Sequence, residues 1–180
     1  MMNTHIALIV QCVLLLSPLL QQPEKADRLT VYGDGFAFSV QEPAGWHGDI
    51  DSAANYSANI VFTGPGYDSS SPYDVIRVCV NAKLDENTSA DLEYDMKQYS
   101  DQNPDITFDT LRVDHPRYKC YAKIFYVEND FYEYVTYLNP GKKFSYILSV
   151  SLSTKDTSAT EQELSAYRTV VSSLQCIVSK

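Results

Sequence analysis

Between residues 118 and 153 three strand-forming runs follow one another almost without interruption, which leaves this chain few folds to choose from. Residues 118–127 are closed by Glu128-Asn129-Asp130, residues 131–138 by Asn139-Pro140-Gly141, and residues 144–152 lead toward a helix start. Runs this rich in Tyr, Phe, Val and Ile, separated by turn residues, predict an antiparallel meander. In the last run Phe144, Tyr146, Leu148, Val150 and Leu152 alternate with Ser145, Ser149, Ser151 and Ser153, so one face is to be covered and the other is polar.

The covering elements are legible on either side of the meander. Leu92, Met96 and Tyr99 recur at i, i+4, i+7 after a Thr88 N-cap with Asp91 three residues on, and Asn103-Pro104 ends that helix. Thr160 with Glu163 forms a second capping-box pattern, followed by the stripe Leu164, Tyr167, Val171 and Leu174. Residues 29–32 and 36–41 flank Gly33-Asp34-Gly35 and read as a hairpin. Further strands are expected at 58–63, 74–84 and 106–113. In the second of these Ile76, Val78 and Val80 share a face opposite Arg77, Cys79 and Asn81. Residues 49–55 read as irregular or weakly helical, 64–72 as an exposed loop, and 176–178 as a short extended tail.

Charge narrows the partners. With 14 Lys and Arg against 23 Asp and Glu the chain carries −9, and residues 1–23 contain none of these side chains, so the whole imbalance belongs to the body. A field of that sign repels phosphate backbones and anionic headgroups, which excludes nucleic acid as the expected partner. Residues 6–20 form an apolar run shorter than the roughly 20 residues of a membrane-spanning helix. Residues 1–22 therefore read as a signal peptide or, alternatively, an N-terminal anchor. The first reading makes the protein secreted or periplasmic, with no integral membrane segment beyond the N-terminal one. In such a compartment Cys79, Cys120 and Cys176 are either small core residues or include one disulfide, for which the strand cysteines Cys79 and Cys120 are the candidate pair.

The segment Gly35-Phe36-Ala37-Phe38-Ser39-Val40-Gln41-Glu42-Pro43-Ala44-Gly45-Trp46 resembles the G-F-x-F-x-x-P-x-x-W opening of the PsbP-like superfamily and its secreted bacterial relatives, with four residues in place of two between Phe38 and Pro43. The closing stretch from Ala166 to Leu174 resembles that superfamily's last helix, and the order of elements between them agrees. The resemblance implies one PsbP-like unit over residues 29–178. Its fold class is α+β: an α/β/α sandwich with a central, mainly antiparallel sheet and two principal helices. It also implies a non-catalytic binding, accessory or assembly protein, since members of the superfamily include photosystem and Ran-GTPase partners. It carries over no functional residue.

Three sets of residues are candidates for chemistry. Catalysis would need a nucleophile with a base in reach, yet the body offers only His47 and His115 and no GxSxG frame, so no enzyme and no cofactor are expected. His115, between Asp114 and Pro116, is expected in a solvated turn. The alternative to a binding protein is an enzyme or metal protein using residues 46–51, where His47, Asp49 and Asp51 offer imidazole and oxygen donors; the bland counterpart is an acidic loop beside a packed Trp. Half of the 14 tyrosines fall in the meander. Tyr132 and Tyr134 with Glu128, Asp130 and Glu133 bring aromatic area and negative charge together, which would suit a basic or neutral protein partner or a small ligand. The counterpart here is that tyrosine simply fills half-buried strands.

Overall fold

The structure, a computed structural model, describes residues 28–69, 71, 73–86 and 89–177. The expected leader and the Thr88 cap lie outside the described residues. No helix among the described residues is long and apolar enough to cross a membrane.

The meander is present. Strands β7 (Lys119–Val127), β8 (Phe131–Asn139) and β9 (Tyr146–Lys155) pair in sequence through the turns expected for them. They belong to a seven-stranded sheet ordered β3-β4-β5-β9-β8-β7-β6, completed by β3 (His47–Asp49), β4 (Ile60–Thr63), β5 (Val75–Ala82) and β6 (Thr107–Thr110). The hairpin β1 (Arg28–Gly33) and β2 (Phe36–Gln41) does not join it. It forms a separate three-stranded sheet with β10 (Gln175–Cys176), which pairs with β2. Every strand pair is antiparallel. The hairpin turns at Asp34-Gly35, where Gly35 alone takes a positive φ, 74°.

Two helices cover the large sheet, and each lays its apolar stripe on one face. Helix α2 (Glu161–Ser173) buries Ala166, Tyr167, Val170 and Val171, and with the small sheet it encloses the main core, which includes Phe38, Phe62, Ile76, Leu148, Val150 and Leu152. Leu164, expected in the same stripe, is only partly buried at its edge. Helix α1 (Ser89–Gln102) lies on the opposite face, where Leu92, Met96 and Tyr99 meet Phe125, Val135, Tyr137 and Ile147. A smaller cluster, Ala53, Val61 and Val75, occupies the far end of that face beneath a 3-10 turn at Ala53–Tyr56. The α/β/α sandwich is thus the observed architecture, with the small sheet as an addition on the α2 side.

Candidate functional site

Three segments distant in sequence converge beside the N-terminus of α2. The first is the turn ending β2, where Trp46 N–H donates to Pro43 O at 3.0 Å and Gly45 takes φ 77°. The indole is buried against Gly64, whose added Cβ would meet the ring at 3.1 to 3.3 Å, so a side chain there would press the ring back by a few tenths of an ångström. The second is the loop after β4. Tyr67 there is held by its hydroxyl, 2.5 Å from Tyr56 Oη and donating to Ser71 O at 3.1 Å. Burial and the Tyr56 hydroxyl push its pKa up to about 12, so Tyr67 stays neutral. The third is the α2 cap itself. Thr160 N–H donates to Glu163 Oε2 at 2.6 Å, and Glu163 N–H donates back to Thr160 Oγ1 at 3.3 Å.

These segments enclose a cleft of about 260 Å³ whose walls include Trp46, Gly64, Tyr67, Asp68, Asp74 and Glu163. None of its described lining residues is basic. Asp74 enters β5 with a positive φ of 60°, held by its N–H donating to Ser153 O at 2.7 Å. Partial burial raises the pKa of its carboxyl, and the Glu163 carboxylate raises it further. Asp74 and Glu163, two carboxyls lining one cleft beside a Trp and a Tyr, form a site that favours a cation by Coulomb attraction. The positive end of the α2 dipole opposes this, and Glu161 and Glu163 in the first turn offset it.

The residues singled out from sequence are placed differently. Tyr134 is not a surface residue. Only 4% exposed, it sits under the start of α2 with its hydroxyl accepting from Ala159 N–H at 3.0 Å. Tyr132 is half-buried on the same face, stacked on Tyr126 at 5.3 Å. Glu133 points to the opposite face, where it pairs with Arg77 at 3.6 Å and accepts from the Tyr99 hydroxyl. Glu128 and Asp130 are exposed in the turn between β7 and β8. The five therefore form no common surface, because strand neighbours alternate between faces that are both covered. None of the seven meander tyrosines is exposed.

Among the metal candidates, Asp49 is committed to its own loop. Asp49 serves as a loop staple, its carboxylate accepting from Asp51 N–H at 2.8 Å, Ser52 N–H at 3.1 Å and Ser52 Oγ at 2.6 Å. The Ser52 bonds hold its pKa below the ordinary aspartate value. His47 is exposed, 3.9 Å from Glu42, and Asp51 is exposed. No group of three His, Cys, Asp or Glu among the described residues is placed to hold a metal ion. Of the expected irregular or weakly helical stretch 49–55, Asp49 ends the edge strand β3, paired with β4, and the remainder is bends leading into the 3-10 turn at Ala53–Tyr56.

The proposed Cys79–Cys120 disulfide is absent, and Cys79, Cys120 and Cys176 are free thiols. Strands β5 and β7 have β9 and β8 between them. That puts them roughly 14 Å apart at the usual strand spacing, about twice what a disulfide spans. Cys79 also lies on the opposite face of the sheet, its thiol donating to Ser57 O at 3.4 Å, while Cys120 packs into the α2-side core. Burial raises the pKa of all three thiols, Cys120 to about 11.

His115 is a clamp and not a solvated turn residue. Its Nδ1 accepts from Arg117 N–H and Tyr118 N–H, both at 3.0 Å, and its Nε2 lies 3.0 Å from Leu174 O. The ring stacks on Tyr118 at 4.4 Å. Two donors on Nδ1 require the neutral Nε2–H tautomer, so this ring is committed to structure on both nitrogens.

Sequence reasoning missed Tyr67, Asp74 and Glu163 as members of one site. Glu163 was visible only as a cap, and nothing local marks a loop tyrosine as the wall of a cleft.

No family model matches the chain, and neither does any curated protein. Among solved structures it is similar to the solution structure of cyanobacterial PsbP (CyanoP) from Synechocystis sp. PCC 6803. Identity is 19%, the TM-score is 0.48, and the match covers 84% of this chain and 92% of that one. The likeness is one of fold.

Proposed function

We propose that this protein is an extracytoplasmic, non-catalytic binding module of the accessory type, and that its cleft receives a cationic side chain from a protein partner. The observation that carries the reading is an acid-lined, aromatic-walled cleft with no basic residue in its described lining. At about 260 Å³ it falls below the roughly 300 to 1,000 Å³ of sites for drug-sized ligands, so a single lysine or arginine side chain suits it better than a free metabolite. The extracytoplasmic placement rests on the apolar run at residues 6–20. A basic partner also agrees with the net charge of −9, which accelerates encounter with positive surfaces.

Trp46 is the chain's only tryptophan and lines the cleft, so its emission reports occupancy directly. Titration with an arginine-containing peptide is expected to give a saturable change in that emission. The Asp74→Asn variant is expected to bind about tenfold more weakly, as befits the loss of one charge-assisted contact. A flat titration, or equal binding by Asp74→Asn, would remove the cleft as the recognition site.

A further inference from the structure

Arginine is distributed unevenly in this acidic chain. Of its five arginines only Arg77 lies inside the large sheet, while Arg28, Arg112, Arg117 and Arg168 gather around the C-terminal half of α2 and the segment before β7. Arg28 has a structural duty, its Nη2 donating to Ser173 O at 2.8 Å and so capping the helix end. Arg112 and Arg168 have none of comparable weight. Both are exposed, Arg112 has no ion pair among the described residues, and Arg168 meets Glu161 at 3.7 Å in a solvated pair of little worth.

These two arginines stand over a groove of about 400 Å³ between α2 and residues 112–114. Its floor on the helix side carries three hydroxyls, Ser165, Thr169 and Ser172, at i, i+4, i+7. Thr169 Oγ1 donates to Ser165 O at 2.9 Å, and Ser172 Oγ donates to Thr169 O at 3.4 Å, a long bond that a better acceptor displaces. Asp114 at the other end supplies one negative charge against two positive ones. Planar guanidinium forks beside hydroxyl donors are the side-chain set that recognises oxyanions, because each fork matches two oxygens of a carboxylate or phosphate.

We propose that the groove between α2 and residues 112–114 is a binding site for an oxyanion, held by Arg112 and Arg168 with help from the Ser165 and Ser172 hydroxyls. It is separate from the acidic cleft, which lies at the other end of α2, so the two sites stand or fall independently.

The test follows backbone amide and arginine Nε resonances of the protein during titration with inorganic phosphate and, in a second arm, acetate, at constant ionic strength with sodium chloride as the reference. Saturable shifts at Val113, Ser165 and Thr169 and at the Nε of Arg112 and Arg168 are expected with at least one oxyanion, and the arm that saturates at lower concentration identifies its chemistry. Arg112→Gln and Arg168→Gln are each expected to weaken binding about tenfold, with the rest of the spectrum unchanged because both side chains are exposed. Arg112→Lys is expected to retain charge yet lose part of the affinity, because an ammonium has no fork. Shifts that fail to saturate, that chloride reproduces, or that survive both glutamine variants would overturn the site.

Discussion

On the α2 side of the seven-stranded sheet one continuous core runs from Phe38 in the small sheet through Phe62 and Leu152 to Tyr167, and its buried hydroxyls are hydrogen-bonded. The Tyr167 hydroxyl, for example, lies 2.6 Å from Thr136 Oγ1. On the α1 side the apolar residues fall into two separate clusters, and charged groups occupy the ground between them. There Arg77 pairs with Glu133 and donates to Ser153 Oγ at 2.6 Å, Tyr99 donates to Glu133, and Tyr137 donates to Asp95. The same strands supply both faces, so the contrast comes from what was placed opposite them. A helix and a second sheet exclude water on one side. A single helix over part of the other leaves a strip where polar groups stay solvated or satisfy one another. The dry face carries most of the stability, and the mixed face adds alignment.

The largest effect expected is on the dry face. Phe62 is fully buried, and Phe62→Ala should lower unfolding free energy by about 3 to 5 kcal/mol, whereas Met96→Ala under α1, a partly buried position, should cost about half as much. Urea unfolding measures both. Equal losses would break the distinction between the faces.

The next effect sharpens it. Arg77 and Glu133 retain only 18% and 14% side-chain exposure, so Arg77→Met leaves a mostly buried carboxylate short of its partner and should cost about 1 to 3 kcal/mol. Adding Glu133→Leu should restore most of that loss, since the apolar pair would join the two flanking clusters. A double variant no better than the single one would show that the strip is more than a solvated seam.

A cap comes third. Thr160→Ala removes the Thr160–Glu163 box that starts the helix of the dry face and should cost about 1 kcal/mol, measured by the same unfolding midpoint. It should also loosen Glu163 in the acidic cleft, and Trp46 emission offers a second readout of that change.

The smallest effect is one of pH. Burial lowers the pKa of His115 below its ordinary 6.5, and Arg117 adds to this while the hydrogen bond to Leu174 O opposes it. Between 6.5 and the lower folded value the unfolded chain binds the proton more readily than the native one. The stabilisation by neutral His115 is therefore full above pH 6.5 and is lost as pH falls through the folded pKa. Unfolding midpoints at pH 7.5 and 5 should differ less in His115→Gln than in the parent. An unchanged difference would show that another group governs the acid limb.

Much of the fold was legible because its signals are local. The meander was announced by Glu128-Asn129-Asp130 and Asn139-Pro140-Gly141, α2 by Thr160 and Glu163, and the face of β5 by Ile76, Val78 and Val80. Each depends on turn chemistry or on a period of 2 or 3.6 that a few neighbouring residues express in full. The three-residue β3 escaped notice, since it exists only through pairing with β4. The aromatic surface failed for the opposite reason: tyrosine's preference for strands was read correctly, but exposure depends on what packs above, and α2 covers Tyr134.

The sequence by itself determined the helices and all strands but β3, their order, the faces of the long strands and the acidity of the whole, because these follow from short-range sterics, periodicity and a count of charges. Only the tertiary structure decided that β1 and β2 leave the large sheet to pair with the chain's end. The same holds for the separation of Cys79 from Cys120 by two strands, the locking of both His115 nitrogens, and the meeting of Trp46, Tyr67, Asp74 and Glu163 around one cleft. Those outcomes depend on which distant segments share a boundary. That is set by the collective burial of the apolar faces and is written in no single stretch of the chain.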